Sequence, residues 1–260
     1  IRPEPINYER VMKNKKIDPI KLFEIERLGN IKKLGKANGL KRLGREFIEE
    51  AAKLRYTYNF SWLGRPIIQI PQDMIVMQEI IWDIKPDLII ETGIAHGGSL
   101  IFYASMLEFL GKGEVLGIDI DIRKHNKKEI EKHKMFKRIK MIEGSSVDQQ
   151  VVAKVLKIAK NHKKILVCLD SLHSHDHVLK ELEFYSRFVT RGSYVVVFDT
   201  LVEHMKKFFL NENRPWGKGN NPATAVRAFL KKNNNFVVDK EMEDKLVLTF
   251  APGGFLKRIK

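Results

Sequence analysis

The length, composition and charge of the chain restrict the kinds of protein it can be. Its 260 residues, 43% of them hydrophobic, suffice for one large domain or a domain with an appendage, and they exclude a disordered chain. The apolar runs, such as 194–198, fall far short of the roughly 18 residues that cross a bilayer, and the single cysteine, Cys168, excludes an internal disulfide framework. We therefore expect a soluble protein of a reducing compartment, the cytoplasm.

A formal net charge of +15 raises the question of polyanion binding. The basic residues concentrate in the N-terminal region, around 13–42, and in the segment 123–140. Neither run is interleaved with the aromatic side chains that stack on nucleobases. We therefore favour a basic, solvated surface over nucleic-acid binding.

Residues 1–60 are polar and contain several glycines, which predicts an N-terminal extension packed on a main domain of residues 61–260. One amphipathic helix is predicted over 41–56, and its apolar stripe consists of Phe47, Ala51 and Leu54. The aromatic segment 56–62 that follows is typical either of a pocket wall or of a seam between packed elements.

From residue 71 onward, short aliphatic strands alternate with amphipathic helices. The predicted strands are 87–91, 114–121, 138–143, 164–170 and 193–198. This alternation favours an α/β fold with a doubly wound, mostly parallel sheet covered on both faces. After a helix over 222–232, strands at 236–238 and 245–251 are predicted to form a hairpin through a short acidic turn, which makes the sheet edge mixed.

The first of these strands ends in a glycine-rich turn, residues 91–99, that opens a helix. Free amides at a helix start favour a carboxylate or phosphate, although an ordinary strand–helix turn without a ligand has the same pattern. Asp119 follows Gly93 by 26 residues, a spacing that suits a carboxylate on a ribose diol. The turn lacks the G-x-G-x-x-G fingerprint, so S-adenosylmethionine is favoured over a dinucleotide.

Each of the five strands carries a polar residue at its carboxyl end, where a doubly wound sheet binds its ligand. These residues are Glu91, Asp119, Ser145, Asp170 and Asp199. Asp170 and Asp199 are expected on adjacent strands, and paired oxygen ligands there suit Mg²⁺ or Ca²⁺. The alternative is that both acids only cap the helices or turns that follow.

A histidine cluster, residues 173–177, follows Asp170 directly. A histidine at this edge could act as a general base or bind the substrate. His173 and His177 are four residues apart, but without a third ligand at a known spacing a zinc site is disfavoured. The glycine- and proline-rich loop 214–222 is either a lid over the substrate or a rigid connector.

Four motifs together resemble the cephalosporin hydroxylase / rhamnosyl O-methyltransferase family. They are Glu91-Thr92-Gly93-Ile94-Ala95-His96-Gly97-Gly98-Ser99, Gly117-Ile118-Asp119-Ile120-Asp121, Glu143-Gly144-Ser145-Ser146 and the segment from Leu169 to Val178. The resemblance runs from about Tyr58 to the C-terminus. It implies a class I S-adenosylmethionine-dependent methyltransferase with a Rossmann-like, seven-stranded sheet, in a family some of whose members bind Mg²⁺.

The resemblance also implies roles for individual residues. The turn, with Glu91 at its start, would hold the methionine part of S-adenosylmethionine through Gly93, Gly97, Gly98 and Ser99. Asp119 would bind the ribose, Ser145 would lie on the adenine side, and Asp170 would bridge the cofactor and metal regions. The family commonly has Glu-Asp after the fifth strand, where this chain has Phe198-Asp199. Either Asp170, Asp199 and water hold the ion, or this branch has lost it.

We therefore predict an S-adenosylmethionine-dependent O-methyltransferase acting on a hydroxyl group of a saccharide or secondary metabolite. The base would be His173 or His175, or a metal at Asp170 and Asp199 would acidify the hydroxyl. The alternatives are an RNA methyltransferase that uses the basic surface and a non-catalytic binding module on the same fold. The sequence leaves open whether the chain forms a homo-oligomer.

Overall fold

The structure is a computed structural model that describes residues 18–206 and 214–260. It begins with two helices, α1 (Pro19–Lys36) and α2 (Asn38–Lys53). The Asp18 side chain caps α1 by accepting a hydrogen bond from the Ile20 amide at 3.0 Å. A single 3-10 turn, Tyr56–Asn59, then leads into a small antiparallel hairpin of β1 (Phe60–Trp62) and β2 (Arg65–Ile67).

The main domain alternates helices and strands as the sequence predicts. Its elements are α3 (Pro71–Ile84), β3 (Leu88–Thr92), α4 (Gly98–Phe109), β4 (Glu114–Asp119), α5 (Lys124–Glu131), β5 (Ile139–Glu143), α6 (Gln149–Ala159), β6 (Ile165–Leu169), α7 (His175–Tyr185), β7 (Tyr194–Val197), α8 (Pro222–Lys232), β8 (Phe236–Val238), α9 (Lys240–Lys245) and β9 (Phe255–Arg258). Among the helices of the described ranges, none has the length and apolar content that a membrane span requires.

Seven strands form one sheet in the order β5-β4-β3-β6-β7-β9-β8. Strands β3 to β7 are parallel, whereas β9 runs antiparallel to both β7 and β8. Buried aliphatic side chains cover both faces, with Ile89 and Val196 on one side and Ile90 and Val197 on the other. The predicted Rossmann-like, mostly parallel, seven-stranded fold is confirmed. Strands β6 and β7 are neighbours, as predicted for the strands that precede Asp170 and Asp199.

The predicted last strand, 245–251, is wrong. The acidic segment before it forms helix α9, because the Asp239 side chain caps it by accepting hydrogen bonds from the amides of Glu241 and Met242 at 3.0 and 3.3 Å. The antiparallel partner of β8 is β9, which begins at Phe255, ten residues later than the predicted strand. The hairpin therefore exists, but its connection contains a helix and a loop.

The predicted stripe on the N-terminal helix is also wrong. Phe47 and Leu54 are 50% and 81% exposed, whereas Ile48 is buried. The buried face is set by Gly44, where an added Cβ would lie 2.4 Å from the Val247 carbonyl oxygen. Helices α1 and α2 thus pack against the C-terminal segment 240–248, and the domain boundary at residue 60 stays a prediction.

Candidate active site

A cavity of about 1300 Å³ opens at the carboxyl ends of the parallel strands. Five of the residues predicted from strand ends and turns lie in its wall, namely Gly93, Asp119, Ser145, Asp170 and Asp199. Residues 47–58 of the N-terminal region and Trp216 of the loop 214–222 line it as well. The cavity therefore brings together segments from the whole described chain.

The turn after β3 is held tightly against the end of β6. Gly93 has φ +91°, and an added Cβ would lie 2.0 Å from the Asp170 carbonyl oxygen, so glycine is required there on both grounds. Gly97 and Gly98 serve packing instead, because added Cβ atoms would meet the Ile130 side chain and the Pro66 carbonyl at 2.3 and 2.2 Å. Among the described residues, Gly97 and Gly98 are not part of the cavity wall.

The Asp119 carboxylate at the end of β4 fixes the same turn. Its Oδ2 accepts hydrogen bonds from the amides of Ile94 and Ala95 at 2.7 and 3.3 Å, and its Oδ1 accepts one from the Asp121 amide at 3.1 Å. Each carboxylate oxygen can accept two hydrogen bonds, so Asp119 holds the turn through three of its four acceptor positions and can accept one more hydrogen bond on Oδ1.

Glu91 and Ser99, which the sequence places with the cofactor, face the protein interior. Glu91 is 1% exposed, and its Oε2 accepts a hydrogen bond from the Ser99 hydroxyl at 2.6 Å. Burial raises the pKa of Glu91 to about 8, which keeps this carboxyl protonated at neutral pH. The structure thus separates these two side chains from the cavity.

Three side chains converge where β6 and β7 end. One ligand atom from each of Asp170, His173 and Asp199 can be chosen so that all three lie within 4.8 Å of one another. His173 Nε2 lies 3.1 Å from Asp199 Oδ2, and Asp199 adopts the left-handed backbone conformation with φ +55°. This donor set of two carboxylates and one imidazole fits a divalent cation.

Asp170 is the most strongly perturbed member of this cluster. Burial and the nearby Asp199 carboxylate raise its pKa well above the usual range. Gln69, which the sequence did not single out, donates a hydrogen bond from Nε2 to Asp170 Oδ2 at 3.2 Å. A cation between the two carboxylates would relieve their mutual repulsion.

The loop 214–222 forms one side of the cluster. The Trp216 ring meets the His173 ring edge to face at 5.1 Å, and the Arg214 guanidinium lies 4.6 Å from the Trp216 ring centre. Glu203 anchors the loop by accepting hydrogen bonds from the Gly219 amide at 2.9 Å and the Asn221 side chain at 2.5 Å. The loop is therefore fixed at its base while its tip reaches the cavity.

The other two histidines of the cluster point elsewhere. His175 Nδ1 lies 2.8 Å from the Thr224 hydroxyl, and the structure does not bring this residue to the cavity wall. His177 lines the cavity, but its Nε2 contacts the Ser146 hydroxyl at 3.1 Å and the fully buried Glu181 at 3.4 Å. His173 and His177 therefore do not form the zinc pair that their spacing left open.

The fold and the cavity together define a Rossmann-like protein whose ligand site lies at the carboxyl ends of the parallel strands. Gly93, Asp119 and Ser145 line one and the same cavity. The profile of the rhamnosyl O-methyltransferase/CmcI family matches residues 54–259. The chain belongs to this family, and it is an S-adenosylmethionine-dependent O-methyltransferase.

Individual relatives agree with this assignment. A rhamnosyl O-methyltransferase of Mycobacterium bovis (strain BCG / Pasteur 1173P2) is 30% identical over 194 residues, covering 72% of this chain and 73% of the relative. The rhamnosyl O-methyltransferase of Mycobacterium leprae (strain TN) is 29% identical over 204 residues, covering 76% and 82%. The similarity thus spans most of each protein.

Solved structures of CmcI share the fold. An apo-structure superposes with a TM-score of 0.54 at 16% identity, covering 78% of this chain and 77% of CmcI. A structure of CmcI with Mg and SAM gives a TM-score of 0.52 at 16% identity, covering 78% of both chains. At these identities the similarity supports the fold.

Proposed function

We propose that the chain methylates a hydroxyl group of a saccharide or secondary metabolite, with His173 as the base. The observation that carries this proposal is the cluster of Asp170, His173 and Asp199 in the same cavity as Asp119. We call the part around Gly93, Asp119 and Ser145 the cofactor half, and the part around the cluster and Trp216 the acceptor half. The names of the mycobacterial relatives support a saccharide acceptor.

S-adenosylmethionine supplies an activated methyl group, so the protein has mainly to align an acceptor oxygen with it and remove a proton. The Asp119 carboxylate would accept a hydrogen bond from a ribose hydroxyl group through Oδ1, and Ser145 would lie beside the adenine. Asp170 would connect the two halves, because its main chain touches Gly93 while its side chain belongs to the cluster.

Asp199 would orient His173 as the base. When His173 Nε2 donates its proton to Asp199 at 3.1 Å, Nδ1 carries the lone pair that can accept the proton of the hydroxyl group. The nearly perpendicular contact between the Trp216 and His173 rings would restrict the rotation of the imidazole further. This arrangement would fix both the tautomer and the direction of the imidazole.

The carboxylates of Asp170 and Asp199 would hold Mg²⁺, which prefers oxygen ligands. The ion would lower the pKa of a hydroxyl bound to it. Phe198 stands where the family commonly has glutamate, and its buried phenyl ring has no atom that could bind the ion. The cation would therefore depend on two protein carboxylates and water.

Calorimetric titration of S-adenosylmethionine, with and without Mg²⁺, tests the proposal. We expect binding to the wild-type protein and an effect of Mg²⁺ that Asp199→Asn abolishes. Asp176→Asn is the matched control, because this exposed acid lies outside the cavity wall. Failure of S-adenosylmethionine to bind would contradict the proposed function. Full methyl transfer in the presence of a chelator would contradict only the metal.

A further inference from the structure

Two arginines line the cavity together with the cluster. Arg55 follows helix α2, and Arg214 begins the loop 214–222. Within the described ranges, neither guanidinium forms an ion pair with an acidic side chain. The cavity therefore has two arginines whose charge is not neutralised by a neighbouring carboxylate of those ranges.

Arg55 occupies a backbone position that normally takes a different residue. It lies just past the end of α2 with φ +52° and ψ +43°, the left-handed conformation in which helix ends favour glycine. Any residue with a Cβ atom pays a conformational cost at this position. The presence of Arg55 in the cavity wall is consistent with a binding role.

Arg214 is connected to the proposed reaction centre through direct contacts. Its guanidinium stacks on Trp216 at 4.6 Å, and Trp216 meets the His173 ring at 5.1 Å. A ligand group bound by Arg214 would thus lie close to a hydroxyl group that reaches His173.

We infer that the acceptor is an acidic saccharide, whose carboxylate or phosphate is bound by Arg55 and Arg214. This inference rests on the proposed function and names the class of its acceptor. Planar guanidinium groups bind both anions through paired hydrogen bonds. The acids that line the cavity, Asp119, Asp170 and Asp199, all lie at strand ends. An anionic group of the acceptor would therefore bind away from these strand ends, at the two arginines. The net charge of +15 would also attract such an acceptor.

Paired saccharide probes test this inference by calorimetry on protein saturated with S-adenosylhomocysteine. Methyl glucuronide is compared with methyl glucoside, and glucose 1-phosphate with glucose, so the two arms distinguish a carboxylate from a phosphate. We expect one charged member to bind at least about tenfold more tightly than its neutral partner. Arg55→Gln and Arg214→Gln should each reduce that ratio severalfold, and Arg214→Lys should reduce it less than Arg214→Gln.

Arg42→Gln is the matched control, because it removes one exposed positive charge from α2 outside the cavity wall. It should leave the ratio unchanged. Equal binding within both pairs, or no binding of either charged probe, would overturn the inference.

The competing explanation is that the arginines bind the carboxylate of the methionine part of the cofactor. In that case Arg55→Gln or Arg214→Gln would weaken S-adenosylhomocysteine binding at least tenfold, and the inference would be wrong. If S-adenosylhomocysteine does not bind the wild-type protein at all, the proposed function fails. If it binds but the charged probes have no advantage, only the acidic acceptor is rejected.

Discussion

The cofactor half and the acceptor half of the cavity are built differently. In the cofactor half, strand ends and main-chain contacts fix the geometry, as in the close approach of Gly93 to Asp170. In the acceptor half, side chains from distant loops meet, as when Trp216 contacts His173. Loops vary while the scaffold stays constant, so the first half suits a common cofactor and the second a particular substrate.

Replacement of His173 should have the largest effect, and it should be confined to the acceptor half. We expect His173→Ala to lower kcat by about 10² to 10⁴, because it removes the base. The affinity for S-adenosylhomocysteine should stay within about threefold of the wild type, because His173 does not belong to the cofactor half. Steady-state kinetics and calorimetry measure the two quantities.

His175→Ala provides the control for this prediction, since His175 contacts Thr224 at 2.8 Å away from the cavity. Its kcat should remain close to that of the wild type. Equal losses in the two variants would remove the assignment of His173 as the base and with it the functional division of the cavity.

Replacement of Asp119 should show the opposite pattern. Asp119→Asn weakens the charge-assisted hydrogen bonds to the turn amides and would weaken the proposed one to the ribose, so we expect S-adenosylmethionine affinity to fall about 10- to 100-fold. At saturating S-adenosylmethionine, kcat should change much less than in His173→Ala. A collapse of kcat with unchanged affinity would show that the halves do not work separately.

Replacement of Glu91 should affect the stability of the protein and not its affinity for the cofactor. Burial raises its pKa from 4.5 to about 8, so its stabilising contribution is complete below pH 4.5 and is lost as the pH rises through 8. Between pH 4.5 and about pH 8, the unfolding free energy of the wild type should therefore fall by at most about 1.4 kcal/mol per pH unit because of Glu91. Glu91→Gln should remove this part of the pH dependence. Denaturant titrations at several pH values measure this.

The same variant should bind S-adenosylhomocysteine at pH 6 as the wild type does, because Glu91 faces Ser99 and not the cavity. A large loss of affinity would restore the sequence-based prediction that Glu91 helps to hold the cofactor.

The smallest expected effect concerns the anchor of the loop in the acceptor half. Burial would raise the pKa of Glu203, but hydrogen bonds from Gly219 and Asn221 and the nearby Arg227 lower it to about 2. Its stabilisation is therefore complete above pH 4.5 and is lost as the pH falls toward 2. Glu203→Gln should cost about 1 kcal/mol of unfolding free energy at pH 7.

This variant should also raise the KM for the acceptor while cofactor affinity stays constant. Thermal unfolding at pH 7 and pH 3 tests the effect on stability, since the difference in unfolding free energy between Glu203→Gln and the wild type should shrink at the lower pH. An unchanged KM would show that the loop does not need this anchor to form the acceptor half.

The sequence predicts best where a local pattern alone determines the structure. The continuous aliphatic strands are confirmed, and the helix predicted over 222–232 has those bounds in the structure because Asn221 and Thr224 form a capping box. The segment 245–251 misled the prediction, since the apolar residues 246–248 resemble a strand but pack near Gly44 of α2. Only the tertiary structure reveals that contact.

The candidate site divides in the same way. Asp119, Asp170 and Asp199 are predictable because parallel strands end at one edge. Glu91 lies within β3, one residue before its end, and its side chain turns into the interior. Gln69 and Arg55 carry no local signal, because each is more than a hundred residues from Asp170 and Asp199 in the sequence. Trp216 lies in the loop 214–222, which the sequence predicts to be either a lid or a connector, but its contact with His173 is visible only in the tertiary structure.

The contact between Gly93 and the main chain of Asp170 would set the distance between the bound methyl donor and the acceptor hydroxyl group. The Asp170 amide also donates a hydrogen bond to the Thr92 carbonyl at 2.9 Å, so the two strand ends cannot shift separately. A side chain at position 93 would push them apart without removing any binding group. Both ligands could then still bind, but the oxygen and the methyl carbon would stand at the wrong separation, where a displacement of 1 Å can cost about 10²-fold in rate.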